Sequence, residues 1–166
     1  DNDTMAEAKA VPENVTAEMM GGRTDYRKVN TMTVDGEDAK DFDDAISVER
    51  LDSARDGMLR VGIHIADVSY YVAEGTSLDE EAVERATSVY LPGRVLPMLP
   101  EELSNGICSL EEGQARLALS VFVDITRTGE VKGFKFKETV IQSDARLPYE
   151  QVQKFADGGR LPQGKR

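Results

Sequence analysis

Four aspartates, Asp35, Asp41, Asp43 and Asp44, stand in one short stretch, Asp35-Gly36-Glu37-Asp38-Ala39-Lys40-Asp41-Phe42-Asp43-Asp44. Six carboxylates within ten residues repel one another unless something positive sits among them. The stretch joins two β-prone runs, Thr31-Met32-Thr33-Val34 and Ala45-Ile46-Ser47-Val48, so it reads as a loop at strand ends. Rigid scaffolds hold reactive groups in such loops. If the chain is extended, Asp41 and Asp43 share a face and Asp44 points the other way. Hard divalent cations prefer oxygen ligands, and Mg²⁺ binds through one or two carboxylates plus substrate phosphate. Paired metals clamp the attacking and leaving oxygens of a phosphodiester. The chemistry to which the spacing points is therefore phosphoryl transfer at a hard-metal site. A solvated acidic turn is the plainer alternative.

A calcium-binding EF-hand loop is excluded. Counted from Asp35, the fifth position is Ala39 and the glycine stands second; counted from Asp41, Ile46 occupies the glycine position. A zinc site is not expected either, with one cysteine and one histidine in the chain. The single Cys108 rules out an internal disulfide and reads as a small buried apolar residue. His64 lies mid-strand among apolar residues, so a structural, hydrogen-bonded role is favoured over that of a general base.

The elements that must carry the loop follow from patterning. Met58–Ala66 alternates and reads as a strand; Leu117–Thr126 and Val131–Ser143 form a hairpin through the Thr128-Gly129 turn. Ser77-Leu78-Asp79-Glu80 matches a capping box, with Ser77 as N-cap and a helix over 78–89. Pro92, Pro97 and Pro100 break the next stretch into a loop, and Leu103–Leu110 has room for one helical turn. Tyr149–Ala156 reads as a short helix. Residues 1–20 form a loose segment with a short helix near 12–20, Leu51–Gly57 a polar turn, and Gly158–Arg166 a polar tail. Strand pairs with few helices give an α+β fold, with a mixed or antiparallel sheet.

The chain has 166 residues, 40% of them hydrophobic, which suits one domain. It has no run of about 18 apolar residues and no basic-then-apolar leader, so neither a membrane span nor export is expected. Cysteine usage fits a reducing cytoplasm. The formal charge of −11 argues against nucleic acid, because phosphate contacts normally need a basic surface. Two routes remain: the acids gather at a metal site, or the basic surface lies on parts outside this chain.

At this point the residues resemble a known family. Thr33-Val34-Asp35-Gly36-Glu37-Asp38-Ala39-Lys40-Asp41-Phe42-Asp43-Asp44-Ala45 is similar to the signature of the ribonuclease II/ribonuclease R catalytic (RNB) domain. Further blocks follow in order: Gly62–Val72, Thr87–Gly93, Pro97–Pro100 and Leu103–Leu110, with Gly22–Arg27 upstream and Ala145–Tyr149 downstream. Pro148 stands where the family more often has Thr or Val. The wording is nearest to the ribonuclease R branch, and the likeness spans roughly residues 13–158, with 21–158 expected as the N-terminal part of the domain and 159–166 as a tail.

The resemblance implies a 3′-to-5′ exoribonuclease that releases nucleoside 5′-monophosphates from single-stranded RNA, with Mg²⁺ as cofactor. It implies Asp35 and Asp44 as metal ligands, Asp41 and Asp43 completing the site, and Asp43 as the carboxylate most critical to the chemical step. Tyr90 matches an aromatic that stacks on terminal bases, and Tyr149 a position near the ribose. Arg23, Arg27 and Arg146 either touch phosphates or form surface salt bridges. The family's domain extends beyond this length and supplies a further arginine, a glutamate and a second stacking aromatic. Activity is therefore expected of a longer parent. The other reading is a non-catalytic metal- or RNA-binding module, or a fragment that self-associates through exposed core.

Overall fold

In the computed structural model residues 2–51 and 57–160 are described. The elements in chain order are α1 (Asn2–Ala10), β1 (Thr24–Asp25), β2 (Thr31–Asp35), β3 (Asp44–Arg50), β4 (Leu59–Ala66), α2 (Val68–Tyr71) and α3 (Ser77–Arg85). There follow β5 (Val89–Leu91), β6 (Arg94–Leu96), a π-turn over Leu103–Ile107, β7 (Ala115–Ile125), β8 (Val131–Gln142), β9 (Ala145–Pro148) and α4 (Tyr149–Ala156). Seven strands make one sheet in the order β1-β8-β7-β4-β3-β2-β9, and β5 and β6 pair separately. The pairings of β1 with β8 and of β2 with β9 are parallel; the rest are antiparallel. This is the expected α+β fold with a mixed sheet. Among the described residues no helix is long and apolar enough to cross a membrane.

The two faces of the sheet divide the side chains unusually. The covered face carries small and polar residues: Ala45, Ser47, Ala118, Ser120 and Thr139 are buried, with Phe122 among them. The opposite face presents Ile46, Val48, Ile63, Ile65, Leu119, Phe134 and Phe136, all exposed. Register lines them up across strands, Ile46 opposite Ile63, Ile63 opposite Val121 and Val121 opposite Phe136. Strand periodicity alone produces this split; it does not say which face is covered.

His64 is central to the covered face and fully buried. Its Nε2 meets Ser47 Oγ at 3.0 Å and its Nδ1 meets Ser120 Oγ at 2.7 Å. Ser120 Oγ in turn lies 2.7 Å from Thr139 Oγ1, which donates to the Ala118 carbonyl. A polar ladder thus crosses β3, β4, β7 and β8. Gly62 makes room for it: a Cβ there would lie 2.4 Å from Ser47 Oγ and 2.8 Å from His64 Nε2. The histidine is structural, as its mid-strand position suggests.

Several local expectations shift. The N-terminal helix lies over 2–10 rather than 12–20, because α1 packs on α3. Ala8 joins Leu78, Leu103, Ile107 and Cys108 in one cluster. The Glu7 carboxylate accepts from the Ser77 and Leu78 amides at 3.2 and 3.0 Å, a favourable anion at a helix start. The N-cap of α3 is Thr76, not Ser77; its hydroxyl accepts from the Asp79 amide. The helix stops at Arg85, four residues short of expectation (89 − 85), where Ala86 turns left-handed at φ 61°. The proline-broken loop contains the β5–β6 hairpin, turned by Pro92-Gly93 with Gly93 at φ 74°. Residues 52–56 of the expected turn and 161–166 of the expected tail lie outside the described residues.

Burial lowers the His64 pKa from 6.5 to about 4. The unfolded chain takes up a proton that the folded one resists, so stability falls as pH drops from 6.5 towards 4. The loss reaches about 3 kcal/mol for this group, at about 1.4 kcal/mol per pKa unit. Denaturant unfolding across that range should show it, and a His64→Gln variant should show a flatter dependence; an equal slope in both would refute the assignment.

Candidate active site

Strand β2 ends at Asp35 and β3 begins at Asp44, so the connection 36–43 is an acidic loop at the strand ends, between two interior strands of the sheet. On its other side β2 pairs with β9, with Asp35 opposite Pro148. The loop is fastened at several points. Phe42 is buried in a cluster with Ala45, Ala66, Leu110, Ala118 and Ile141. Its amide donates to Ser109 Oγ at 3.1 Å, and Ser109 Oγ donates to the Lys40 carbonyl at 2.9 Å. The Phe42 carbonyl accepts from the Leu110 amide, and the Asp43 carbonyl from the Ala66 amide, both at 2.9 Å. With Phe42 plugged inward, its neighbours Asp41 and Asp43 point outward together, and both line one cleft.

That cleft holds about 640 Å³ and is lined by Asp35, Asp38, Asp41, Asp43, Tyr90 and Asn105, among others. Asp44 is exposed at the start of β3 but does not line it. The Asp35 carboxyl is pushed up, first by burial and then by the Asp44 charge; Arg146 opposes this, and Asp41 and Asp43 add to it. Asp43 is raised by desolvation, then by Asp41 and Asp44. Asp35 Oδ2 is buried and has no hydrogen-bond partner among the described residues. Among the described residues no group of three or more His, Cys, Asp and Glu side chains is placed so as to hold a metal ion. Hard carboxylate oxygens, a partnerless buried one and mutual repulsion nonetheless fit a Mg²⁺ ion, which keeps waters and takes further ligands from phosphate.

The structure brings Tyr90 to the loop. This residue of β5 is 68% exposed, and its hydroxyl donates to Asp41 Oδ2 at 3.3 Å. The Asp41 charge is the chief reason its phenol titrates higher than usual. Tyr149 follows Pro148 at the start of α4 and is exposed, but it lines a separate groove with Val34, Val152 and Gln153. Arg23 and Arg27 form ion pairs with Asp67 at 2.5 Å and Asp25 at 2.7 Å. Burial pushes the Cys108 thiol up to about 12, which keeps it protonated.

Sequence reasoning missed two participants, Asp38 and Ser109, and gave a third, Arg146, a different role. Asp38 lines the cleft although it seemed only part of the acidic run. Ser109 lies far along the chain, and nothing in its neighbourhood marks it as a loop anchor. Arg146 donates through Nη2 to the carbonyls of Gly36 at 3.1 Å and Ala39 at 3.4 Å, and also to that of Glu37. Its guanidinium lies 5.2 Å from the centre of the Phe42 ring.

Known proteins resemble this chain in sequence and fold. The profile of the RNB domain matches residues 23–164. Ribonuclease R of Thermotoga maritima is 51% identical over 155 residues, which is 93% of this chain and 21% of that protein. The structure of Mycoplasma genitalium RNase R in complex with ribose methylated single-stranded RNA superposes with a TM-score of 0.89 at 31% identity, covering 99% of this chain and 25% of that one. The same enzyme in complex with double-stranded RNA gives 0.89 and 31%, with 99% and 28% covered. The chain thus spans 21% to 28% of the length of these relatives. On its ordered sequence blocks, its fold and the acidic loop between β2 and β3, the chain belongs to the RNB-domain family.

Proposed function

We propose that this chain forms the metal-binding part of the active site in a 3′-to-5′ exoribonuclease of the relatives' length. The observation that carries the reading is the loop that turns Asp41 and Asp43, with Asp35, into one cleft beside an exposed Tyr90. Asp35, Asp41 and Asp43, with Asp44 acting on Asp35 from the start of β3, would hold Mg²⁺, which when bound would offset phosphate charge and lower the pKa of water. Tyr90 offers its ring to terminal bases of single-stranded RNA, a contact tolerant of sequence because every base has a π-face. Tyr149, beside the end of β2, meets the ribose. Water attacks the terminal phosphodiester, the penultimate 3′ oxygen leaves, and a nucleoside 5′-monophosphate departs. Such an enzyme works in the cytoplasm.

For a polypeptide of the relatives' length, mononucleotide release from single-stranded RNA is expected to require Mg²⁺. Asp43→Asn should lower kcat by roughly two to four orders of magnitude, as for a carboxylate engaged in proton transfer. Tyr90→Ala should weaken RNA binding by roughly 1–3 kcal/mol. Chromatography of the products checks both, and full activity of Asp43→Asn would sink the reading. These 166 residues alone should turn over negligibly.

Folding also reports the metal. With Asp35 and Asp43 raised, the charged forms destabilise the metal-free fold at neutral pH, and protonation at lower pH relieves this. Mg²⁺ should therefore raise Tm by several degrees at saturation. Asp35→Asn should leave the metal-free Tm equal or higher and reduce the Mg²⁺ response. An undiminished response in that variant would exclude Asp35 as a ligand.

The apolar face of Ile46, Val48, Ile63, Ile65, Leu119, Phe134 and Phe136 supports the second reading, that this chain by itself associates. Sedimentation velocity should show species heavier than 18.3 kDa as concentration rises. A clean monomer at high concentration counts against it.

A further inference from the structure

Nothing in the aspartate chemistry explains why an arginine from β9 reaches into the loop. Arg146 belongs to a strand paired with β2, with Thr33 as its register partner. Its amide accepts no part in the loop but donates to Glu112 Oε2 at 2.9 Å, which fixes the backbone from which the side chain departs. The side chain crosses to the loop and meets the Gly36, Glu37 and Ala39 carbonyls, while its plane lies by the Phe42 ring. These carbonyls belong to the turn that leads from Asp35 to Asp41. A guanidinium presents several donors in a fixed fork, whereas an ammonium is a point charge on a flexible stem. All three carbonyls meet one nitrogen, Nη2, whose two N–H donors they share, and the planar group to which it belongs is seated by the Phe42 ring, so that one side chain gathers the backbone of 36–39.

We propose that Arg146 is a positioning residue: its guanidinium, held flat by Phe42, brings Nη2 to the carbonyls of 36–39 and fixes that backbone, so that Asp35, Asp41 and Asp43 face one cleft. This rests on the metal-site reading above. The rival account is purely electrostatic, with Arg146 as a cation beside the acids. The two differ in sign. A nearby positive charge opposes a bound cation, so removing it should tighten metal binding if charge is its whole role. If it positions the loop, removing it weakens binding despite the lost repulsion.

The test uses Arg146→Lys and Arg146→Ala in this chain, with Mn²⁺ as the probe, followed through the free-ion resonance signal. Positioning predicts weaker Mn²⁺ binding in both variants, by roughly 10–100-fold, the usual effect of losing a group that orients metal ligands. It also predicts that the lysine fails to rescue. Amide exchange gives a metal-independent readout: amides of 37–43 should exchange faster in Arg146→Lys, while those of β4 and β7 stay as they were. Tighter Mn²⁺ binding in Arg146→Ala with an unchanged lysine variant would overturn the proposal. So would unaltered loop exchange, whatever the metal does. If the unsubstituted chain binds no Mn²⁺, the metal reading falls, and loop exchange alone decides the role of Arg146.

Discussion

Like charges held close together are the constraint on which the arrangement turns. The Asp35 and Asp43 carboxyls are pushed up, first by burial and then by the neighbouring charges, Asp44 foremost for Asp35 and Asp41 for Asp43. A free loop would relieve that by spreading out. Here it is prevented from doing so: Phe42 is sunk into the core, Ser109 ties the Lys40 carbonyl and the Phe42 amide on either side of Asp41, and the Leu110 and Ala66 amides donate to the next carbonyls. Packing free energy from an apolar side chain thus opposes electrostatic repulsion between its neighbours. A preorganised cluster of this kind is already shaped for positive charge.

The scaffold behind the loop follows a related logic. Its covered face uses small residues and a hydroxyl–imidazole ladder, where each polar group has a partner and so bears little desolvation cost. Gly62 is part of the same device, since the ladder occupies the space a side chain would need. The larger apolar residues stand on the other face. The two faces therefore differ in kind: one is buried around the hydroxyl–imidazole ladder, and the other exposes large apolar side chains.

Much of this was readable along the chain. Strands β3, β4, β7 and β8 announce themselves by alternation, and the acidic run at Asp35–Asp44 stands out by spacing. What was not readable depends on distant partners. The short β1 and β9 owe their existence to β8 and β2, and neither Thr24–Asp25 nor Ala145–Pro148 is long enough to carry a pattern. Thr76 and Ser77 are chemically equivalent caps, and only the path of the preceding turn selects the first. The β5–β6 hairpin hides behind its prolines, although Pro92-Gly93 is itself a turn signal. Arg146 looks like any surface arginine until β9 is laid beside β2.

The parallel pairing of β2 with β9 has a consequence for how the protein folds. Its register joins Met32 to Ala145, residues 113 apart (145 − 32), whereas β3 and β4 meet through a short connection. Closing a longer loop costs more chain entropy, and contacts of large sequence separation slow folding. The aspartates at 35–44 are made first, and the strand that flanks them, Ala145–Pro148, follows much later in the sequence. During synthesis the acidic loop is therefore made long before its neighbour exists, and its full framework depends on one of the most non-local contacts in the sheet.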